Sequence, residues 1–233
     1  MIVTILISSL YLFIQCKATS WPDGKYCLPM PRNGICPSRW RSGHRHHDME
    51  DDTASDNHNW KTSGWVPKNS NLPNNLQWSF CCNANCSQRN HVNERILWPS
   101  GSYCIFRCGG SCPRNFHEGS IYWDDEDSRN NNKKSGMLPD GTYGRNTKIF
   151  FCCRHDPRLL TGLPKCSQMM LMRYKGICPQ SGGYSRPKTG FLQWDTENKS
   201  NGDKLVGHFP DGEKTFNSGI KIEFCSYTSI GTC

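Results

Sequence analysis

Three times along this chain of 233 residues a strand-like segment closes on Phe-Cys. The segments are Leu76-Gln77-Trp78-Ser79-Phe80-Cys81, Thr147-Lys148-Ile149-Phe150-Phe151-Cys152 and Ile220-Lys221-Ile222-Glu223-Phe224-Cys225. Counting back from the cysteine, the first position is always Phe, the third is Trp or Ile, and the fourth is Gln or Lys. Period-two alternation of this kind marks a half-buried β-strand. Its recurrence marks a repeat, in which each copy buries its apolar face against the others.

Other features keep the same order. A Cys-Pro pair precedes each closing strand, at Cys36-Pro37, Cys112-Pro113 and Cys178-Pro179. Copies one and two open on Trp21-Pro-Asp-Gly-Lys-Tyr-Cys27 and Trp98-Pro-Ser-Gly-Ser-Tyr-Cys104, identical at five of seven positions, while copy three begins loosely around Met169 to Tyr174. An aromatic and glycine approach, with Gly43, Gly119 and Gly190, leads to an Asp-x-Glu triplet: Asp48/Glu50, Asp124/Glu126 and Asp195/Glu197. Asn-rich loops follow, and copies two and three then share the turn sequence Pro139-Asp140-Gly141 and Pro210-Asp211-Gly212.

Only 35% of residues are hydrophobic, and the mean hydropathy is -0.70. A single copy this polar can hardly bury its own face. Twenty-one Gly and 14 Pro fit short strands between turns, and no helical periodicity occurs beyond the N-terminal segment. The expected fold is all-β and disulfide-rich, with three degenerate repeats in a pseudo-threefold, trefoil-like or prism-like body; a two-sheet β-sandwich is the alternative. The units are 21–97, 98–165 and 166–233, within one domain of residues 21–233.

The apolar stretch Ile2 to Ile14 has the length of a signal-peptide core, and Ala18 and Ser20 suit cleavage before Trp21. Residues 1–20 are therefore expected to be a signal peptide, and the protein to be secreted, with no transmembrane segment after cleavage. Cleavage removes Cys16 and Lys17, leaving an even 14 of 15 cysteines and lowering the net charge from +8 to +7. In an oxidising compartment the cysteines form disulfides rather than zinc sites. Repeat symmetry proposes one bridge per unit: Cys36 to Cys81, Cys112 to Cys152 and Cys178 to Cys225. The neighbours in Cys81-Cys82 and Cys152-Cys153 point to opposite faces and should bond different partners.

On a strand, residues i and i+2 share a face, so each Asp-x-Glu triplet would present two carboxylates together. Calcium could be ligated by such pairs, but their presence in every copy favours a structural role, with calcium second. The run His44-Arg45-His46-His47-Asp48 looks like a metal site, yet no second ligand group stands at a diagnostic spacing. It reads as a solvated basic loop, and neither a metal nor another cofactor is expected. Arg39, Arg41 and Arg45 with Trp40, and Arg154, His155 and Arg158 after the second Phe-Cys strand, are the binding candidates. Arginine beside aromatic rings suits anionic sugars and phosphates. Nucleic acid is excluded by compartment and by charge spread without a stripe. No Gly-x-Ser-x-Gly or His-Glu-x-x-His occurs, so no catalytic residues are expected and the chain is not read as an enzyme. Asn198-Lys199-Ser200 fits the glycosylation sequon.

The series Trp98-Pro-Ser-Gly-Ser-Tyr-Cys-Ile105, Cys112-Pro113, Gly119-Ser-Ile-Tyr-Trp-Asp-Asp-Glu126, Leu138-Pro-Asp-Gly-Thr-Tyr143, Phe151-Cys-Cys-Arg154, Trp194-Asp-Thr-Glu197 and Phe224-Cys225 resembles the ApeC domain, the apextrin C-terminal domain of invertebrate proteins. The resemblance implies an extracellular protein. Some members of that family carry a membrane-attack type domain before ApeC. The family is associated with embryonic cell adhesion and with innate defence, where the domain recognises bacteria and peptidoglycan components. The expectation is a secreted, non-catalytic recognition module in innate immunity, binding bacterial cell-wall glycan (peptidoglycan-like) or an anionic lipid surface. An extracellular matrix or cell-adhesion structural protein is the alternative.

Overall fold

The computed structural model describes residues 21–49, 61–72, 75–83, 96–125, 129–156, 168–197, 200–215 and 219–230. These residues contain no helix and fifteen strands. Unit one contributes β1 (Tyr26–Pro29), β2 (Arg41–Asp48), β3 (Lys61–Gly64), β4 (Asn69–Leu72) and β5 (Asn75–Asn83). Unit two contributes β6 (Tyr103–Arg107), β7 (His117–Trp123), β8 (Lys133–Gly136), β9 (Gly141–Tyr143) and β10 (Thr147–Arg154). Unit three contributes β11 (Met169–Arg173), β12 (Lys188–Trp194), β13 (Lys204–Gly207), β14 (Lys214–Thr215) and β15 (Gly219–Tyr227). All belong to one hydrogen-bonded sheet, so the two-sheet sandwich is not the arrangement.

The pairing recurs from unit to unit. Each closing strand pairs antiparallel with the first, second and fourth strands of its own unit: β5 with β1, β2 and β4; β10 with β6, β7 and β9; β15 with β11, β12 and β14. The third strand of every unit instead pairs with the second strand of another: β3 with β12, β8 with β2, and β13 with β7. First strands also join units, β6 pairing with both β1 and β11. The pseudo-threefold disposition of the units is a proposal that this recurrence supports.

The exchanged third strand explains the glycines before each triplet. A Cβ on Gly43 would lie 2.0 Å from the carbonyl oxygen of Met137, one on Gly119 2.0 Å from that of His208, and one on Gly190 2.5 Å from the backbone of Trp65. The strand from the neighbouring unit passes where a side chain would stand, so only glycine fits.

Alternation on the closing strands feeds two cores. Trp78 and Phe80, Ile149 and Phe151, and Ile222 and Phe224 point into a central core with Trp123, Trp194 and Phe106. Cys81, Cys152 and Cys225 face the other way, into a second core with Tyr26, Tyr103, Tyr227, Trp40 and Trp98. Burying each large side chain stabilises by about 1.5–3 kcal/mol. In the second core the Tyr26 hydroxyl donates to the Pro22 carbonyl at 2.9 Å and that of Tyr103 to Pro99 at 2.5 Å, which is the use of the repeated Trp-Pro-x-Gly-x-Tyr opening. Burial raises the pKa of both phenols.

Five disulfides join ten cysteines among the described residues. Cys36–Cys81, Cys112–Cys152 and Cys178–Cys225 tie each Cys-Pro loop to its closing strand. Cys27–Cys82 and Cys104–Cys153 cross-link directly opposed residues of β1 with β5 and of β6 with β10. In unit three the same opposed pair is Met170 and Ser226, so the cross-strand bridge is replaced by an apolar residue. Cys108 is buried in the central core, and Cys16, Cys86, Cys166 and Cys233 lie outside the described residues.

Candidate functional site

The triplets lie at strand ends rather than within strands. β2 ends at Asp48, and β7 and β12 end one residue before Asp124 and Asp195. The strand geometry behind the expectation of paired carboxylates on one face therefore ends at or before the first carboxylate. The first carboxylate instead clamps the Asn-rich loop of the following unit. Asp48 Oδ2 accepts the Asn131 N–H at 2.5 Å, and Asn132 Oδ1 accepts the Asp48 N–H at 2.7 Å. One unit on, Asp124 Oδ2 accepts the Gly202 N–H at 2.7 Å, and Asp203 Oδ1 accepts the Asp124 N–H at 2.8 Å. Asn146 adds its amide to Asp124 Oδ1 at 2.8 Å, and the Glu197 N–H donates to the Asp124 carbonyl at 2.8 Å. Burial raises the carboxyl pKa of Asp203. Asp195 and Glu197 are buried, while Glu50 and Glu126 lie outside the described residues. No group of three or more His, Cys, Asp or Glu able to hold a metal ion occurs among the described residues.

The histidine run is β2, not a solvated loop. His44 is partly exposed, whereas Arg45, His46, His47 and Asp48 are buried. Arg45 donates from Nε to Thr147 Oγ1 at 2.9 Å and from a terminal nitrogen to the Gly144 carbonyl at 2.8 Å, and lies 3.4 Å from Asp125 Oδ2. His47 Nδ1 lies 3.0 Å from Asp125 Oδ1. Asp125 Oδ2 also accepts Thr147 Oγ1–H at 2.5 Å and the Asn132 amide at 3.0 Å. Desolvation by burial lowers the pKa of Arg45 and His47, opposed by Asp125. This His–Asp–Arg cluster resembles the parts of an acid–base site, but its members are locked into the contact between units one and two.

The basic and aromatic candidates separate in the same way. Trp40 is buried, its ring 4.8 Å from that of Trp21 and 5.3 Å from that of Tyr26. Arg154 is buried, donating to the Trp98 carbonyl at 3.1 Å and pairing with Asp156 at 3.6 Å, with its guanidinium 5.6 Å from the Phe116 ring centre. Trp40, Arg45 and Arg154, three of the ligand-binding candidates, are thus buried in the scaffold: apolar and cation–π contacts in the second core, or a buried carboxylate, hold each of them, while Arg154 also lines a surface pocket with Trp98 and Arg114. Arg39 and Arg41 stay exposed, and Arg158 lies outside the described residues.

Sequence reasoning missed the role of the Pro-Asp-Gly turns. Asp140 binds Arg107 Nε at 2.9 Å, and Asp211 binds Arg173 Nε at 3.1 Å, so each turn is tied by an ion pair to the end of its unit's first strand. The signal was available: Arg107 and Arg173 both stand four residues past the first residue of those strands.

The family model described as the C-terminal domain of apextrin, ApeC, matches residues 21–227. No curated protein and no solved structure matches the chain.

Proposed function

The chain belongs to the ApeC family, and from that premise we propose that it is a secreted, non-catalytic recognition module that binds microbial cell-wall glycan, peptidoglycan-like in chemistry, or another anionic surface in innate defence. The observation that carries the reading is the division of its cations. Arg45 and Arg154 are buried in the scaffold, whereas Arg32, Arg39, Arg41, Arg114 and Lys188 are exposed on a chain of net charge +8. Exposed cations attract anionic surfaces over a Debye length, about 10 Å at 0.1 M salt. Residues 1–20 act as the leader in this reading, and the three units of 21–233 serve as one domain.

The test is co-sedimentation of the secreted chain with intact bacteria, purified peptidoglycan and phosphatidylserine vesicles. Binding to bacteria and peptidoglycan supports the reading. Binding to none of the three overturns it and leaves the matrix or adhesion role in its place.

A further inference from the structure

The three units serve as internal controls for one corner of the fold. In units two and three the turn aspartate folds back on the loop after the first strand. Besides Arg107, Asp140 accepts the N–H groups of Gly109 at 3.0 Å and Gly110 at 2.7 Å. Besides Arg173, Asp211 accepts those of Lys175 at 2.8 Å and Gly176 at 2.6 Å. More carboxylates complete each corner: Glu118 pairs with Arg107 at 2.6 Å, and Glu223 with Arg173 and, at 3.3 Å, with Lys221. Both corners are therefore neutralised internally.

Unit one keeps the backbone of this corner and changes its charge. The turn there reads Val66-Pro67-Lys68-Asn69. The Lys68 N–H donates to the Met30 carbonyl at 2.9 Å, as the Asp140 N–H does to Arg107 at 2.8 Å and the Asp211 N–H to Arg173 at 2.7 Å. By that register Met30 replaces the arginine and Lys68 replaces the aspartate. Trp65, three residues before Lys68, carries two further exposed cations, with the Arg32 guanidinium 5.3 Å and Lys188 Nζ 4.0 Å from the ring centre. A groove of about 340 Å³ is lined by Arg32, Thr62, Ser63, Gly64, Lys68 and Asn69, with Val66 and Pro67 buried beneath. Among the described residues no carboxylate lines it, and Arg32, Lys68 and Lys188 form no ion pair.

The fold does not require this change, because two copies form the corner with an aspartate paired to an arginine. A feature confined to one copy suits a ligand rather than the scaffold. We propose that the Arg32–Lys68–Lys188 corner is a binding site for an anionic saccharide carrying a phosphate or sulfate ester. The cations receive the oxyanion, Arg32 as a planar fork and the lysines as point charges. The hydroxyls of Thr62 and Ser63 supply the exchangeable hydrogen bonds that sugar hydroxyls use. The lining exposes no large apolar side chain, which favours a sugar ring over a lipid chain. This site rests on the recognition reading above and gives it a location.

The experiment titrates the full secreted chain with glucose 6-phosphate, glucose, inorganic phosphate and phosphatidylserine vesicles, followed by NMR shifts of the Trp65 indole and by calorimetry. The proposal expects glucose 6-phosphate to bind about tenfold or more tighter than glucose, and Lys68→Asp, which installs the carboxylate of the other two units, to remove that preference. Arg32→Gln with Lys188→Gln, both at exposed positions, should weaken it similarly without moving the melting temperature. Equal binding of the two sugars, an unchanged Lys68→Asp variant, or binding to vesicles alone would overturn it. Inorganic phosphate binding as tightly as the ester would also overturn it, because the sugar would then contribute nothing. Peptidoglycan co-sedimentation of the same variants separates the two readings. If wild type and Lys68→Asp sediment equally and neither sugar binds, recognition stands and this site falls. If the ester binds at this corner and peptidoglycan does not, this site stands and the peptidoglycan reading falls.

Discussion

His47 Nδ1 lies 3.0 Å from Asp125 Oδ1, at the position where the other two units carry tryptophan. The imidazole centre is 5.8 Å from both Trp123 and Trp194, so unit one completes an aromatic trio with a polar ring, and unit two supplies the carboxylate that ring needs. Its Nε2 has no hydrogen-bond partner among the described residues, so a proton placed there would be buried without an acceptor.

Acidification should therefore loosen the body. Burial holds the folded-state pKa of His47 below the ordinary 6.5 and moves that of His46 the same way. A histidine with a lowered folded pKa stabilises above its unfolded pKa and loses that contribution as pH falls below it, at up to about 1.4 kcal/mol per pH unit per group. Melting curves from about pH 7.5 to about pH 5 should fall below pH 6.5, and His47→Phe should flatten the fall while lowering the melting temperature at neutral pH. An identical pH slope in the variant would contradict the account.

The carboxylate clamps predict a stability loss that does not depend on calcium. Asp124→Ala strands the Gly202 N–H and the Asn146 amide, each in contact with it now, and should cost about 1–3 kcal/mol. Thermal unfolding in EDTA throughout is the measurement. If EDTA itself lowers the wild-type melting temperature by many degrees, and the variant loses that response, calcium is the better account.

Unit three should accept the bridge it lacks. Met170 opposes Ser226 in the register of Cys27 with Cys82 and Cys104 with Cys153. Met170→Cys with Ser226→Cys should oxidise to a disulfide, seen as a linked peptide by mass spectrometry, and raise thermal stability by a fraction of the usual ~2–4 kcal/mol, because the buried methionine is lost. A pair of free thiols under oxidising conditions would show that the register differs from that of the other units.

Much of the fold was legible because the repeat displays it three times. Period-two alternation located β5, β10 and β15, and the matched Cys-Pro and Phe-Cys pairs proposed the three bridges that the structure contains. The strand exchange was not legible: β3, β8 and β13 have only four residues each, β3 and β8 are polar, and only Gly43, Gly119 and Gly190 hinted at a close neighbour. Site reasoning failed where charge was equated with exposure. Arg45 and Arg154 are buried because partners distant in the sequence meet them, Asp125 for Arg45 and the Trp98 carbonyl for Arg154, and no local pattern announces such partners; Asp156, two residues from Arg154, is the local one. The basic corner on Trp65 joins β3 of unit one to β12 of unit three, so it too appears only once those strands pair.

The proposed recognition function is tested most directly by the salt dependence of binding. The measurement is retention of the secreted chain on peptidoglycan and on phosphatidylserine vesicles from about 0.1 M to about 1 M salt, where the Debye length falls from about 10 Å to about 3 Å. The account predicts binding at low salt that fades across this range and weakens further when exposed Arg39 and Arg41 are changed to Ala together. Binding that ignores both salt and the double substitution would contradict the electrostatic mechanism, and no binding to either surface at low salt would contradict recognition itself.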